Sequence, residues 1–465
     1  SQDGYQYYNR YTDDNGSTDT NIATLTVEPD LLDIKNYDTV VSLDTVANVG
    51  EFWDIAIPPE LAFGAPTGVQ LVVTGTVQPA VLANNMLVSA GAADGTNQYC
   101  VSTIAQHNAP TGDSYRRSTV NDMAVVIDAD GNVLHSFAFE KWLTAGVDGV
   151  DGVRLRCTVK NAAVPYLTSV AFIGGASQTG EVVITPPLVA GANVIPTANR
   201  PDSVLCYSIN GTDIEFGALD AQLSSGMMSN TPANGIEQAS ASFYIPDGDA
   251  TNLVVGQISD QSLYVSHNQT LQSRYTVTAV DANSFTLTLD EGTGQNLRLF
   301  AFVISYTGGT NFRVQSFEWP TTGDVDLTYL GYRPQTVFTN TLTNITTRNT
   351  LQSVDTAGWS FASSNRDATG TVLVSAESGV VPSNTHSAFF ATLNILYPNT
   401  STALQAIWTP QPTGGVFTML QNPTTPQLAF GIINGNEADI AVIQIDPIAD
   451  KTIMESAVQQ IPLGF

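Results

Sequence analysis

The sequence predicts an all-β protein: three tandem β-sandwich or jelly-roll-like domains, flanked by an N-terminal arm and a short C-terminal extension. Three observations predict it. The composition favours strands, short segments alternate apolar and polar residues with period 2, and a set of landmarks recurs about every 130 residues.

Composition comes first. A chain of 465 residues exceeds the roughly 250–300 residues that one hydrophobic core serves, so several domains are expected. Apolar residues make up 43%, enough for real cores, whereas charged residues reach only 13%, against about 25% in ordinary soluble domains. The surface is therefore polar but uncharged, supplied by Thr, Asn, Ser and Gln, which suit strands and turns better than helices. With 43 acidic and 16 basic residues the net charge is −27, and such a field repels phosphate backbones. The acidic content is ordinary; lysine is what is missing, with only Lys35, Lys141, Lys160 and Lys451. Arg116 and Arg117 form the one basic doublet. Nucleic acid is not an expected partner. Neither is membrane insertion expected, since the best apolar run, Leu297 to Ser305, contains Arg298 and falls short of the ~18–20 residues a span needs. Ser1 reads as a mature terminus or one that has lost its initiator Met.

The landmarks recur in one order. The first is a Pro-x-x-Val-type lead-in to an apolar strand, at Val77-Gln-Pro-Ala-Val-Leu82, Asn199-Arg-Pro-Asp-Ser-Val-Leu205 and Tyr332-Arg-Pro-Gln-Thr-Val-Phe338. Upstream of each lies a strand that ends in proline and then glycine: Phe52 to Pro59 with Gly64, Glu181 to Pro187 with Gly191, and Phe312 to Pro320 with Gly323. Proline cannot donate to a ladder, so each strand should stop there. The second landmark is an apolar strand running into a polar turn, at Met123 to Asn132, Ala241 to Asp249 and Ala391 to Thr400, each predicting a hairpin. The third is a closing strand around an Ala-Phe pair at Ala171, Ala301 and Ala429.

Whole domains rather than solenoid units have this period. The chain therefore reads as an arm over 1–49, β domains over 50–175, 176–306 and 307–436, and a tail over 437–465, arranged as beads on a string. In the second copy Tyr275-Thr-Val-Thr-Ala279 turns at Asp281-Ala-Asn-Ser284 into Phe285-Thr-Leu-Thr-Leu289, one face apolar and the other threonine. The arm, carrying Tyr5, Tyr7, Tyr8 and Tyr11, is expected to be disordered or ordered by a partner. The tail ends in Ile461-Pro-Leu-Gly-Phe465, an apolar terminus suited to docking on a neighbour.

Chemistry is sparse. Asp128-Ala-Asp-Gly-Asn132 looks like a calcium loop, making Asp128 and Asp130, with Asp247 and Asp249 of the second copy, weak metal candidates. The third copy has Asn399-Thr-Ser401 there and no Glu completes a twelve-residue loop, so a plain hairpin is the expectation. His107, His135, His267 and His386 are scattered, without zinc spacing. Cys100, Cys157 and Cys206 are too few for a disulfide scaffold and read as buried free thiols. No nucleophile elbow, Walker loop or dinucleotide fingerprint occurs, so no catalytic residue and no cofactor is expected. Two carboxylates across a cleft would suffice for glycan hydrolysis and are invisible in sequence. Trp53, Trp142, Trp319, Trp359 and Trp408 read as core or as sugar-stacking faces. Asn210, Asn268, Asn344 and Asn399 fit a glycosylation pattern that a Thr/Asn-rich chain produces by chance.

Arg200-Pro-Asp-Ser-Val-Leu205 and Arg333-Pro-Gln-Thr-Val-Phe338, each following a Gly-Gly turn, resemble the tandem β domains of tailed-phage virion proteins over about residues 50 to 436. The first copy departs by having Val77-Gln78 before its proline. The resemblance implies a non-enzymatic virion structural or adhesion protein, a tail fibre or capsid decoration on the virion surface. It would form a homo-oligomer, join other virion proteins through the arm or the tail, and contact a host surface glycan or protein. Two alternatives stay open: an extracellular cell-surface adhesin or surface-layer protein with glycan-binding sandwiches, and a glycan-depolymerising tailspike.

Overall fold

The computed structural model describes residues 48–436, except 58–64, 77–79, 161–165, 175–177, 233, 250–253, 307–309, 328–329, 331, 366–368, 381, 391–392, 397–401 and 412–413, together with five short strands between residues 6 and 42. The chain divides into two units, 1–31 with 438–465, and 32–437. In the first unit Gln6–Tyr7 pairs with Ala23–Thr24 and Arg10–Asp13 with Gly16–Asp19, both antiparallel. The remainder of the predicted arm before residue 37 and the whole apolar tail lie outside the described residues.

Among its described residues the second unit is all β except for one turn of helix, Ala145–Asp148. Its strands fall into three sets of eleven. The first set is Tyr37–Ser42, Phe52–Ala56, Pro66–Thr74, Ala83–Asn84, Met86–Ala93, Gln98–Ala105, Ser114–Thr119, Ala124–Ile127, Val133–Leu143, Gly152–Lys160 and Leu167–Gly174. The second runs from Gln178–Ile184 to Phe300–Tyr306 and the third from Thr310–Trp319 to Gln427–Asn436. In every set the eighth, ninth, tenth and second strands form a four-stranded sheet. The seventh, sixth, fifth, third, eleventh and first, in that order, form a larger sheet. The two sheets of each set enclose an apolar layer, as Trp53, Ile55, Val69, Leu71, Phe137 and Phe172 do in the first. These are β-sandwiches.

The fourth strand of each set does not join its own sandwich. Phe216–Leu219 of the second set pairs with Ser114–Thr119 of the first, and Gln352–Val354 of the third pairs with Val254–Ser259 of the second. Ala83–Asn84 of the first pairs with Asn384–Phe390 of the third. The exchange is cyclic, so three sandwiches close into one ring and each large sheet gains a seventh strand from its neighbour. The expectation of beads on a string is overturned. The inner faces of the large sheets share a single core containing Tyr99 of the first set, Tyr207, Phe243 and Phe302 of the second, and Phe338, Trp359 and Phe361 of the third. Tyr99 meets Phe300, Tyr207 meets Phe361 and Phe243 meets Trp359, with ring centroids 5.6, 6.1 and 6.3 Å apart. Burying such a side chain is worth ~1.5–3 kcal/mol, and here the gain exists only when the sandwiches associate.

The strand sets also correct the register of the first copy. The strand equivalent to Gln178–Ile184 and Thr310–Trp319 is Tyr37–Ser42, hydrogen-bonded to Leu167–Gly174; Phe52–Ala56 is a second strand. The proline opening the third strand is Pro66, in Pro66-Thr-Gly-Val69, matching Pro201 and Pro334; Pro79 lies in the stretch before the exchanged strand. Both mistakes have one cause: the first set has two proline-ended apolar strands in succession, and periodicity cannot rank them. The Ala-Phe pairs fall on the eleventh strands but not in one register, Ala171 facing the shared core while Ala301 and Ala429 face their own sandwiches; Leu271–Asp281 with Ser284–Gly292 forms the expected hairpin. There Tyr275 and Val277 are buried while Thr278 meets Thr288 on the outer face, Oγ1 to Oγ1 2.8 Å.

One close approach ties the two sheets together. A Cβ on Gly226, in the fifth strand, would lie 1.8 Å from the Leu263 carbonyl oxygen, and one on Gly91, its counterpart, 2.1 Å from that of Met123. Gly226→Ala is therefore expected to destabilise by about 2–4 kcal/mol, because backbone rather than a flexible side chain must move. Denaturant unfolding checks this, and a midpoint equal to that of the parent protein would refute it.

Candidate functional site

Polar side chains gather at the three joints where strands are exchanged. A ladder of two to four residues holds little by itself, so side chains supplement it. At the joint between the first and second sets, Glu215 Oε1 accepts bonds from Thr119 Oγ1, the Val120 amide and Asn121 Nδ2, each 2.9 Å. Arg116 donates to the Leu219 carbonyl at 2.5 Å and pairs with Asp220 at 3.5 Å. The basic doublet thus serves a joint. Between the second and third sets Asn349 takes the place of Glu215: its Oδ1 accepts from Ser259 Oγ at 2.7 Å and the Asp260 amide at 3.2 Å. Elsewhere between these two sets, Arg313 of Thr310–Trp319 pairs with Glu237 of Gly235–Ile245 through Nε and Nη2, at 2.8–2.9 Å and largely buried. These clamps carry no motif and were not legible in the sequence.

Two residues singled out in the sequence meet the same task at different joints. Asp247 Oδ1 accepts from the Ser114 amide at 3.0 Å, and its own amide donates to Asp220 Oδ1 at 2.8 Å. At the joint between the first and third sets, His107 Nδ1 accepts from the Thr385 amide at 3.2 Å, and the His107 amide donates to Asn85 Oδ1 at 2.8 Å. Asp220 and Asn85 share a left-handed φ of 74°. The triplets Asp220, Asp247, Ser114 and Asn85, His107, Thr385 are therefore structural counterparts. The His386 ring meets that of His107 across this joint at a tilt of 44°, centroids 4.7 Å apart.

Asp247 and Asp249 consequently sit in the loop between sixth and seventh strands, not in the counterpart of the Asp128 turn, which is residues 268–270 in the second set. Asp249 uses its carbonyl to accept from the Gly112 amide at 2.9 Å. Asp128 closes its own hairpin, Oδ1 and Oδ2 accepting from the amide and Nδ2 of Asn132 at 2.8 and 3.0 Å. Asp128, Asp130 and Asp247 are brought near Asp113, whose carboxyl is held above its usual range by burial first and by those three charges next. Among the described residues no group of three or more His, Cys, Asp or Glu side chains is arranged to hold a metal ion.

No protein-family model matches this chain, and no curated protein does.

The remaining sequence candidates are dispersed. Cys100, Cys157 and Cys206 are buried free thiols, and burial pushes Cys100 up to about 12 despite its contact with Ser89. Trp53, Trp319, Trp359 and Trp408 are buried, and Trp142 is half-buried against Phe139. Asn210 and Asn344 use their Nδ2 on the carbonyls of His267 and Thr356, Asn268 is exposed in a turn, and Asn399 lies outside the described residues. His135, also buried, stacks on Phe137.

The middle sandwich has an unusual interior. Ser224, Ser242 and Gln257 form one cross-strand row, with Gln222 two residues along, all buried. His267 packs over this row from the small sheet, whose Val265 amide donates to Ser224 Oγ at 3.4 Å. The counterpart in the first sandwich is Val125 donating to Ser89 Oγ at 3.1 Å, which sets Ile127 opposite His267. Burial is the main cause that lowers the His267 pKa from 6.5 to about 4.

Proposed function

We propose that the chain is a non-enzymatic structural or adhesion protein of a virion surface, of tail-fibre or capsid-decoration type. The observation that supports this reading is the cyclic strand exchange: one chain makes a closed body of three sandwiches with a common core, a rigid platform needing no ligand for its integrity. Side-chain hydrogen bonds reinforce its joints, as those of Glu215, Asn349 and Asp247 do. A surface poor in charge, with 13% charged residues, changes little with salt, because there is little for counterions to screen. Such a platform displays its three diverged outer sheets at fixed separations, and the arm and tail are the segments assigned to mounting on a particle and to assembly with further copies.

The experiment is reconstitution. Tagged protein added to particles lacking it is expected to co-sediment with them and to be retained through salt washes, while glycan arrays stay blank. Failure to associate with particles, together with oligosaccharide binding by the free protein, would replace this reading with the adhesin. Release of reducing ends from host capsule would replace it with the depolymerase.

A further inference from the structure

The three sandwiches can be matched residue by residue on the face that each large sheet turns to its own small sheet. Asn349 and Ala80 are equivalent: both have a left-handed φ, 61° and 58°, and their amides donate to the Ile258 and Phe389 carbonyls, each at 2.7 Å. Gln257, one residue before Ile258, therefore matches Ala388. Thr119 and Ser259 meet Glu215 and Asn349 alike, which matches Gln257 to Arg117. The ladders carry the match inward. Ser224, Ser242 and Gln257 of the second sandwich correspond to Ser89, Ser102 and Arg117 of the first and to Ser360, Leu373 and Ala388 of the third. Gln222, two residues before Ser224, corresponds to Leu87 and Gly358.

The fold does not require polar side chains at this place. The third sandwich fills it with Leu373, Ala388 and Gly358, and the first puts Leu87 and Ile127 there, whereas the second carries Gln222, Ser242 and Gln257 under His267. Gln222 and Ser242 are 0% exposed and Gln257 1%. Among the described residues, neither the amide nitrogen nor the amide oxygen of Gln222 or of Gln257 has a hydrogen-bond partner, nor has Ser242 Oγ. Turning an amide over exchanges its nitrogen with its oxygen and leaves both places unmatched. Bare polar groups are costly in an interior, and buried ones are matched by protein or by water. Ser242 lies directly opposite Gln257 in the ladder and diagonal to Gln222, separations that long side chains on one face of a sheet can span.

We propose that the second sandwich binds ordered water between Gln222, Ser242 and Gln257, beneath His267. The chemistry of the set selects water. Each amide offers two donors and two lone pairs, and the hydroxyl one donor and two lone pairs. The ligand must therefore both give and take hydrogen bonds, and it must be small, as a buried water making about three such bonds is. An ion would meet no countercharge, since these two rows hold no charged side chain and His267 is neutral. This assignment is independent of the virion reading.

The test is a high-resolution crystal structure of the full-length protein and of two variants. In the parent protein a fully occupied water is expected within hydrogen-bond distance of the Gln257 amide and of either Ser242 Oγ or the Gln222 amide. Ser242→Leu/Gln257→Ala, which installs the residues of the third sandwich, is expected to fold and to lose that water. Gln257→Met, which nearly keeps the volume and removes the amide, is expected to lose it with a single change. Magnetic relaxation dispersion of water deuterons reads the same event in solution, as a fall of at least one long-lived water from the parent protein to each variant. Amides bonded directly to protein groups with no water between them overturn the proposal. So does an ion in the parent structure, or a count of long-lived waters that is unchanged in either folded variant.

Discussion

Replacing Trp359 by alanine is expected to destabilise all three sandwiches together, by about 3–5 kcal/mol, in one transition rather than in the third sandwich alone. Trp359 is 2% exposed. Its ring lies over Phe361 of its own sheet and meets Phe243 of the second sandwich, 6.4 and 6.3 Å between centroids. Its Nε1 donates to Ser225 Oγ of the second sandwich at 3.3 Å, and that hydroxyl donates to Asn340 Oδ1 at 2.9 Å. Truncation removes the aromatic contacts, leaves Ser225 with one partner fewer, and enlarges a cavity of about 10 Å³ that Met86 of the first sandwich also lines. Such losses fall on a core that no sandwich owns. Far-ultraviolet dichroism and tyrosine fluorescence, which sample all three, should therefore shift to a lower midpoint by the same amount. A biphasic curve with most of the signal unmoved would refute a shared core.

His267 supplies the second large effect, visible against pH. Its imidazole is buried and neutral, with a folded pKa of about 4 against 6.5 when unfolded. Burial is opposed only in part by hydrogen bonds to the backbone of Asn268 and Ser242, which favour the charged form. Between those two values the unfolded chain binds a proton that the folded chain refuses, so stability contributed by His267 is complete above pH 6.5 and declines as pH falls towards 4. The difference corresponds to roughly 3 kcal/mol. The raised carboxyls of Asp113, Asp122 and Asp202 act in the opposite sense, being easier to protonate in the folded state. The measurement is therefore the difference between the parent protein and His267→Ile, which borrows the residue of the first sandwich. That difference is expected to widen in favour of the variant from pH 6.5 to 4. A constant difference across the range would mean that His267 is not the titrating group.

The architecture was legible where repetition was strong and hidden where contact was short. Strands and hairpins such as Leu271–Asp281 with Ser284–Gly292 follow from alternation and turn residues, because those signals are local; the register between copies does not. Strand exchange is not local. Phe216–Leu219 has the same pattern whether it pairs at home or abroad, and what sends it abroad is Glu215 finding Thr119 and Val120 nearly a hundred residues away. The calcium reading failed to assemble for a related reason: Asp247 resembled Asp128 in spelling but belongs to a different loop, where its carboxylate is committed to the Ser114 amide. Asparagine and alanine at positions 349 and 80 share a backbone conformation that no composition or spacing reveals.

A body made of three identical chains would have to use one interface three times, and any change would be felt threefold. Fusion into one chain removes that obligation. Glu215 and Asn349 at one position, and Asp247 and His107 at another, are what the freedom has produced: fastenings that differ in chemistry from joint to joint. Each fastening can therefore change its chemistry without obliging the other two to follow.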